Sequence, residues 1–98
     1  MDHLYFIQSY RTGMIKIGRS KNPRRRLKQL QTGSPDELRI IHVFNGLGWR
    51  EKEIHIALAD WKIRENGEWF SYKCVGSIPI EFYQQISYGA FDSWWVKS

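Results

Sequence analysis

Three consecutive arginines, Arg24, Arg25 and Arg26, are the first sign of chemistry in the sequence, because a guanidinium can pair with two phosphate oxygens at once. Asn22 favours a helix N-cap and a proline follows it, so a helix is predicted over Pro23–Gln31. At about 100° per residue, Arg25 points away from the apolar stripe of this helix, whereas Arg26 lies about 60° from the stripe's centre. Arg26 is therefore the arginine that can reach the preceding strand while its stem is packed.

Glu51 is the carboxylate that the same geometry singles out. A second helix is predicted over Trp49–Trp61, since its apolar residues have the i, i+3, i+4, i+7 spacing of a buried stripe. Glu51 lies about 60° from the centre of that stripe, and His55 follows one turn later on the same side. The alternative is that Glu51 only complements the helix dipole, and helix physics alone favours that alternative.

Two short apolar segments must position these groups. His3–Ser9 and Met14–Gly18 read as strands, and the short connection between them contains Gly13, which is typical of a β-hairpin. In such a hairpin Tyr5 and Lys16 lie on neighbouring strands of one small sheet.

The whole pattern predicts an α/β domain of the α+β type, with a three-stranded antiparallel sheet flanked by helices. Leu38–Asn45 is rich in β-branched residues and supplies the third strand. Residues 68–72 are expected to form a short strand or extended segment. A third helix is predicted over Ile78–Tyr88, capped by Ser77, and Gly33 is expected to end the first helix as its C′ residue.

The sequence assigns no catalytic role to His42 or to the aromatic tail. A histidine inside a strand is more often packed than catalytic, and His42 is interpreted in that way. Segment 90–98 contains Phe91, Trp94 and Trp95, which are expected to dock on the domain or on a partner.

Composition indicates one globular domain over residues 1–98, with 42% apolar and 15% aromatic residues. Segment 76–98 supplies its C-terminal helix and tail. The single cysteine, Cys74, excludes an internal disulfide and a thiolate zinc cage, and favours a reducing, cytoplasmic location. No apolar run is long enough to span a membrane, and none resembles a signal peptide.

The net charge of +5 is concentrated near the N-terminus. Residues 3–35 contain eight Lys and Arg and no acidic residue, whereas residues 36–98 contain nine acidic and seven basic residues. Such a concentrated positive field predicts a polyanionic partner. Nucleic acid is favoured over a membrane surface, because no amphipathic apolar anchor accompanies the charge.

Taken together, these residues resemble the GIY-YIG nuclease superfamily, in a small stand-alone branch found in bacteria and phages. The resemblance covers about residues 3–72. By position in the family's motifs, the catalytic arginine corresponds to Arg26 and the metal-binding glutamate to Glu51. The matching segments are Leu4-Tyr5-Phe6-Ile7, Lys16-Ile17-Gly18, residues 16–35, Glu51-x-x-x-His55 and Gly67-Glu68-Trp69-Phe70.

Several positions depart from the family pattern. His3 stands where the first motif has Gly, and Lys16 stands where the second has Tyr, although Lys is frequent there in this branch. Leu30 replaces a histidine that many relatives carry. The family's terminal Asn has no clear counterpart, and Asn66 is not assigned its role.

The resemblance implies a DNA endonuclease that hydrolyses phosphodiester bonds with one divalent metal, Mg²⁺ or Mn²⁺, held by Glu51. Arg26 would pair with the scissile phosphate. Tyr5 is the first candidate to orient the attacking water or take its proton, Lys16 is the second and His55 is a further one. The flanking DNA backbone would be held by Arg19, Lys21, Arg24, Arg25 and Lys28.

Alternatives remain open for the function and for single residues. The altered second motif also suits a catalytically idle nucleic-acid-binding or inhibitory module, and the aromatic tail suits an interaction protein. One small site that cuts both strands would need a homodimer or a second event. A solvated helix face is the alternative for Arg24, Arg25 and Lys28. Of the closing motif, Glu68 is interpreted as a structural acceptor for the basic helix rather than a second carboxylate of the site, and Trp69 and Phe70 as core residues.

Overall fold

The computed structural model describes residues 1–63 and 67–88, apart from the side chain of Tyr88. One five-stranded sheet has the order β4-β2-β1-β3-β5, and every neighbouring pair is antiparallel. The predicted α+β class and antiparallel core are confirmed, but the predicted number of strands is wrong. The strands are β1 (His3–Ser9), β2 (Ile15–Ser20), β3 (Leu38–Phe44), β4 (Trp69–Phe70) and β5 (Ile86–Tyr88). The sequence interpretations of Asn66, Phe91, Trp94 and Trp95 concern residues outside the described ranges.

The two additional strands are short and cover the edges of the predicted sheet. In β4, Trp69 pairs with Lys16 of β2, and in β5, Ile86 pairs with Phe44 of β3. β4 lies within residues 68–72, where a short strand or extended segment was expected, so that expectation is confirmed. β5 has only three residues and carries no alternation that a sequence pattern can reveal. Both strands form because the outer edges of β2 and β3 would otherwise leave backbone N–H and C=O groups unpaired.

The first helix, α1, spans Pro23–Thr32 and begins as the sequence predicts. The Asn22 side chain accepts a hydrogen bond of 3.0 Å from the backbone N–H of Arg25. Gly33 follows the helix with φ −94°, so it does not adopt the left-handed conformation of a glycine C′ residue. The end of α1 therefore does not depend on glycine.

The second helix, α2, spans Glu51–Ala57 and is shorter than predicted, because 3₁₀ turns flank it at Gly48–Arg50 and Ala59–Trp61. Among the described residues, no helix is both long and apolar enough to cross a bilayer.

The predicted third helix is wrong. Its segment forms a 3₁₀ helix over Ile80–Gln85 and then continues as β5. Pro79 has an extended ψ of 134° and no N–H to donate, so no helix runs on from Ser77. Ser77 instead ends another 3₁₀ helix, Tyr72–Ser77. Phe82 is nevertheless fully buried.

The sheet separates two apolar clusters. α1 covers one face, where it packs on Tyr5 and Ile7 through Leu27. α2 and the segment after β4 cover the other face, whose buried residues include Leu4, Phe6, Ile17, Phe44, Ile54, Phe70 and Phe82. The interpretation of Phe70 as a core residue is therefore confirmed.

His42 is a packed core residue on the second of these faces. It is 3% exposed and contacts the rings of Phe6, Phe44 and Tyr83. Neither ring nitrogen has a hydrogen-bond partner among the residues that the structure describes, and burial lowers the pKa of His42 to about 4. The imidazole is accordingly neutral in the folded protein near pH 7.

Candidate functional site

Tyr5 and Gly18 face each other across the β1–β2 ladder. Tyr5 is 2% exposed, and its phenol lies directly over the glycine. A Cβ added to Gly18 would clash with the phenol oxygen and would lie 2.6 Å from Cζ of Tyr5. The glycine of the second strand motif therefore makes room for the tyrosine of the first.

The Arg26 guanidinium reaches the Tyr5 hydroxyl. Burial is the largest influence on the pKa of this phenol and raises it, while the hydrogen bond and positive charge of Arg26 lower it in part. The charges of Glu68 and Glu51 also raise this pKa, so both carboxylates act on the hydroxyl. Arg26 also donates to Gln29 at 3.3 Å and is exposed rather than packed at the rim. Arg26 therefore does extend toward the hairpin, but the residue that it contacts, Tyr5, lies on β1 and not on the strand that directly precedes α1.

The position of Glu51 at the start of α2 depends on a close approach between two backbone segments. Gly48 donates its N–H to the Asp2 carbonyl oxygen at 3.0 Å. A Cβ added to Gly48 would lie 2.8 Å from the Asp2 carbonyl carbon, which is closer than real Cβ contacts. Glycine at this position therefore lets the N-terminal segment hold the turn that leads into Glu51.

The Glu51 carboxylate lies near the guanidinium of Arg19, the imidazole of His55 and a second acid. Arg19 Nε is 3.7 Å from Oε1, and His55 Nε2 is 3.7 Å from Oε2. Burial raises the pKa of Glu51 and the charge of Glu68 raises it further, whereas His55, Arg19 and Lys16 lower it. Because the net pKa of Glu51 is raised, its surroundings do not fully stabilise the negative charge of the carboxylate. An added cation would stabilise that charge.

His55 connects α2 to β2. Its Nε2 lies 3.0 Å from the carbonyl oxygen of Ile17. Since a carbonyl only accepts, Nε2 carries the hydrogen in this contact and Nδ1 of the neutral ring keeps its lone pair. The ring also stands edge-on to Phe70, with 5.1 Å between centroids. These contacts hold the imidazole in place beside Glu51.

Lys16 contacts Glu68 and Trp69. Its Nζ is 3.2 Å from Glu68 Oε1 and 5.6 Å from the centre of the Trp69 ring, and the side chain is 16% exposed. Glu68 was expected to pair with the basic helix, but its observed partner is this strand lysine. The reason is the β2–β4 ladder, which aligns Lys16 with Trp69 and so brings the preceding residue beside Lys16.

An open cleft of about 920 Å³ lies at this cluster. Lys52 and Lys62, which were not predicted site residues, are part of its lining. Lys62 is brought there by an isolated bridge to Phe70, a pairing that no local sequence pattern signals. Within residues 1–63 and 67–88, the lining consists of Lys16, Glu51, Lys52, His55, Lys62, Gly67, Glu68 and Trp69.

The residues predicted to hold the DNA backbone fall into two groups. Arg19 lies between two carboxylates, with Nε 3.7 Å from both Asp2 and Glu51, and so belongs to the cluster. The others are exposed on α1 or just before it: Lys21, Arg24, Arg25 and Lys28. This exposure suits both interpretations of these cations, phosphate binding and a solvated helix face.

Glu51 and Glu68 are chemically suited to a divalent cation such as Mg²⁺, which is commonly held by one or two carboxylates while water and substrate oxygens complete its shell. The raised pKa of Glu51 supports this fit, because the negative charge of Glu68 contributes to it. In residues 1–63 and 67–88, no three or more His, Cys, Asp or Glu side chains are grouped to hold a metal ion. An all-protein cage of the zinc type is thus absent from the described part of the chain.

The model of the T5orf172 domain, a phage-associated and nuclease-related family, matches residues 2–87. The match spans β1 to β4 and all of the side chains described above. No curated protein and no solved structure matches the chain.

Proposed function

The chain belongs to the T5orf172 domain family, and we propose that it is a DNA endonuclease that hydrolyses phosphodiester bonds with one divalent metal ion, Mg²⁺ or Mn²⁺, at a GIY-YIG-type site. The proposal is carried by one observation: side chains from β1, β2, α1, α2 and the segment before β4 converge on one cluster. They are Tyr5, Lys16, Arg26, Glu51, His55 and Glu68. Four of them, Lys16, Glu51, His55 and Glu68, line the cleft, so a cation, two carboxylates and a proton-transfer group lie together there. Phosphodiester hydrolysis requires groups of these kinds.

Arg26 would bind the scissile phosphate. A guanidinium has five N–H donors in a planar fork, and the contacts with Tyr5 and Gln29 leave donors for phosphate oxygens.

Glu51 would hold the metal ion, with Glu68 as a second acidic group. A bound divalent cation supplies positive charge to the phosphate as negative charge develops on it. Arg19 shares the Glu51 carboxylate but lies equally close to Asp2, at 3.7 Å from each. Arg19 therefore keeps an anionic partner when Glu51 takes a metal ligand's role.

Tyr5 and His55 would have different roles at the attacking water: Tyr5 would orient it and His55 would accept its proton. The raised pKa of Tyr5 makes its phenolate scarce near pH 7, so Tyr5 is better suited to orient the water than to deprotonate it. His55 keeps a lone pair on Nδ1 while Nε2 donates to Ile17, which suits it to accept the proton. Lys16 would add positive charge near the phosphate.

Plasmid nicking in Mg²⁺ or Mn²⁺ tests this proposal. The wild-type protein should nick the plasmid, and Arg26→Ala, Glu51→Ala or excess EDTA should each abolish nicking. DNA binding by a folded wild-type protein without nicking in either metal would overturn it.

A catalytically idle nucleic-acid-binding or inhibitory module is the second candidate function. One observation favours it: each carboxylate of the cluster already has a side-chain cation beside it, Lys16 for Glu68 at 3.2 Å and Arg19 for Glu51 at 3.7 Å. Such pairs offset charge without a metal ion. In this case Glu51→Ala should leave DNA binding unchanged and there should be no turnover to lose.

A further inference from the structure

We propose that the cleft binds a short unpaired strand of DNA, with Lys52 and Lys62 holding its phosphates and Trp69 contacting a base. The inference rests on the proposed function and specifies its substrate as DNA with an unpaired segment next to the scissile bond. Neither lysine belongs to the motifs that suggest a nuclease.

Lys52 and Lys62 are available cations of the cleft. Both are exposed, and within the described residues neither side chain makes an ion pair or hydrogen bond. Lys16, in contrast, is paired with Glu68 at 3.2 Å. An ammonium without a carboxylate partner gains most from a phosphate, and two lysines of the cleft lack such a partner among the described residues.

The scaffold fixes where these lysines lie. Lys52 follows Glu51 in the first turn of α2, so a phosphate at Lys52 would neighbour one at the catalytic cluster. Lys62 forms a bridge with Phe70, and the hydrogen bonds Ile63 N–H to Trp69 O, 3.0 Å, and Ser71 N–H to Trp61 O, 2.7 Å, flank that bridge. The backbone that carries each of the two lysines is therefore fixed by hydrogen bonds.

The lining and size of the cleft favour a single strand over a duplex. Trp69 lines the cleft and is half-buried, since its side chain also packs against the cluster that contains Tyr5 and Leu27. A basic groove with an aromatic side chain is typical of single-strand binding. The volume of about 920 Å³ lies within the range of about 300–1,000 Å³ that is common for small-molecule sites. A few nucleotides fit such a space. The exposed cations of α1 lie outside the cleft lining and suit the backbone of the adjoining duplex.

Fluorescence anisotropy in EDTA tests this inference without requiring turnover. Two labelled probes are compared, a duplex and the same duplex with a flap of about three unpaired nucleotides. Wild type should bind the flap probe about tenfold more tightly, since stacking of one base and two phosphate contacts each contribute measurable affinity. Lys52→Ala and Lys62→Ala should each reduce that preference about threefold, and Trp69→Phe should reduce it with the apolar contacts largely kept.

Lys73→Ala is the matched control, because the substitution removes the same charge from an exposed lysine that lies outside the cleft lining. It should lower affinity for both probes equally, if at all. Equal wild-type affinity for the two probes, or an equal loss of preference in Lys73→Ala, would overturn the inference. A protein that prefers the flap but never nicks would instead contradict the proposed catalysis alone.

Discussion

The phenol of Tyr5 packs against Gly18 on the neighbouring strand, at a place where no Cβ would fit. The hydroxyl of the same phenol contacts Arg26 of α1. One cross-strand contact therefore links both strand motifs to the arginine. The glycine admits the ring, and the ring places its hydroxyl beside the guanidinium.

Gly18→Ala should both destabilise the protein and impair cleavage, because the new methyl group must displace the Tyr5 ring. Overpacking of this kind costs typically about 1–3 kcal/mol, which urea unfolding measures. Gly76→Ala is the control, since a Cβ there meets nothing within 4 Å. Equal stability of Gly18→Ala and wild type would show that the ring moves freely and that the contact does not position it.

His42 should make the protein sensitive to mild acid. Its pKa is about 4 when folded against about 6.5 when unfolded, so the unfolded state binds the extra proton between these values and stability falls as the pH is lowered through them. His42→Leu removes two unpaired ring nitrogens from an aromatic environment and should raise the free energy of unfolding by about 1–3 kcal/mol.

Urea unfolding near about pH 7 and about pH 5 measures the effect, and His42→Leu should have the smaller difference between the two conditions. The same pH dependence in wild type and His42→Leu would mean that other groups govern acid stability.

Local patterns predicted the longer elements well because those elements follow local rules. The N-cap at Asn22, the apolar run of β3 and the hairpin of β1 with β2 each depend on residues close together in the chain. The third helix was predicted wrongly because Ile86 pairs with Phe44, a partner 42 residues earlier, and this pairing prevails over the helical spacing.

The candidate site was predictable only in part, for the same reason. Wheel geometry indicated Arg26 and Glu51, because each lies near the edge of an amphipathic stripe. It did not indicate the Lys16 partner of Glu68, or Lys62 in the cleft, since both positions follow from ladder contacts made around β4. Those contacts join segments whose relative placement no single helix or strand determines.

Arg26 should contribute mainly to the cleavage rate, and Arg25 mainly to DNA affinity. Arg26→Ala should reduce the single-turnover cleavage rate far more than DNA affinity, because its guanidinium lies beside the Tyr5 hydroxyl. Arg25→Ala, on the exposed face of α1, should weaken binding with little change in rate and should flatten the salt slope by about 0.9 on duplex DNA. Salt titrations and single-turnover rates measure both. Similar profiles for the two variants would indicate one uniform basic face.

Glu51→Gln should leave the free energy of unfolding unchanged or raise it near about pH 7. The folded pKa of Glu51 is raised, so its stabilising contribution is present at low pH and is lost as the pH rises through that pKa. Glu53→Gln is the matched control in the same helical turn. Its pKa is lowered by Arg50, so its replacement should destabilise instead. If Glu51 only complements the helix dipole, Glu51→Gln should lose a few tenths to about 1 kcal/mol.

Metal-dependent cleavage by Glu51→Gln and Glu53→Gln tests the central claim most directly. The two variants remove the same charge two residues apart, but only Glu51 lies in the cleft with His55 and Glu68. Single-turnover cleavage of a labelled DNA in Mg²⁺ or Mn²⁺ should be abolished in Glu51→Gln, with DNA affinity in EDTA kept or slightly increased, and should be near wild type in Glu53→Gln. Wild-type cleavage by a folded Glu51→Gln protein would contradict the assignment of the metal site, and with it the proposed mechanism.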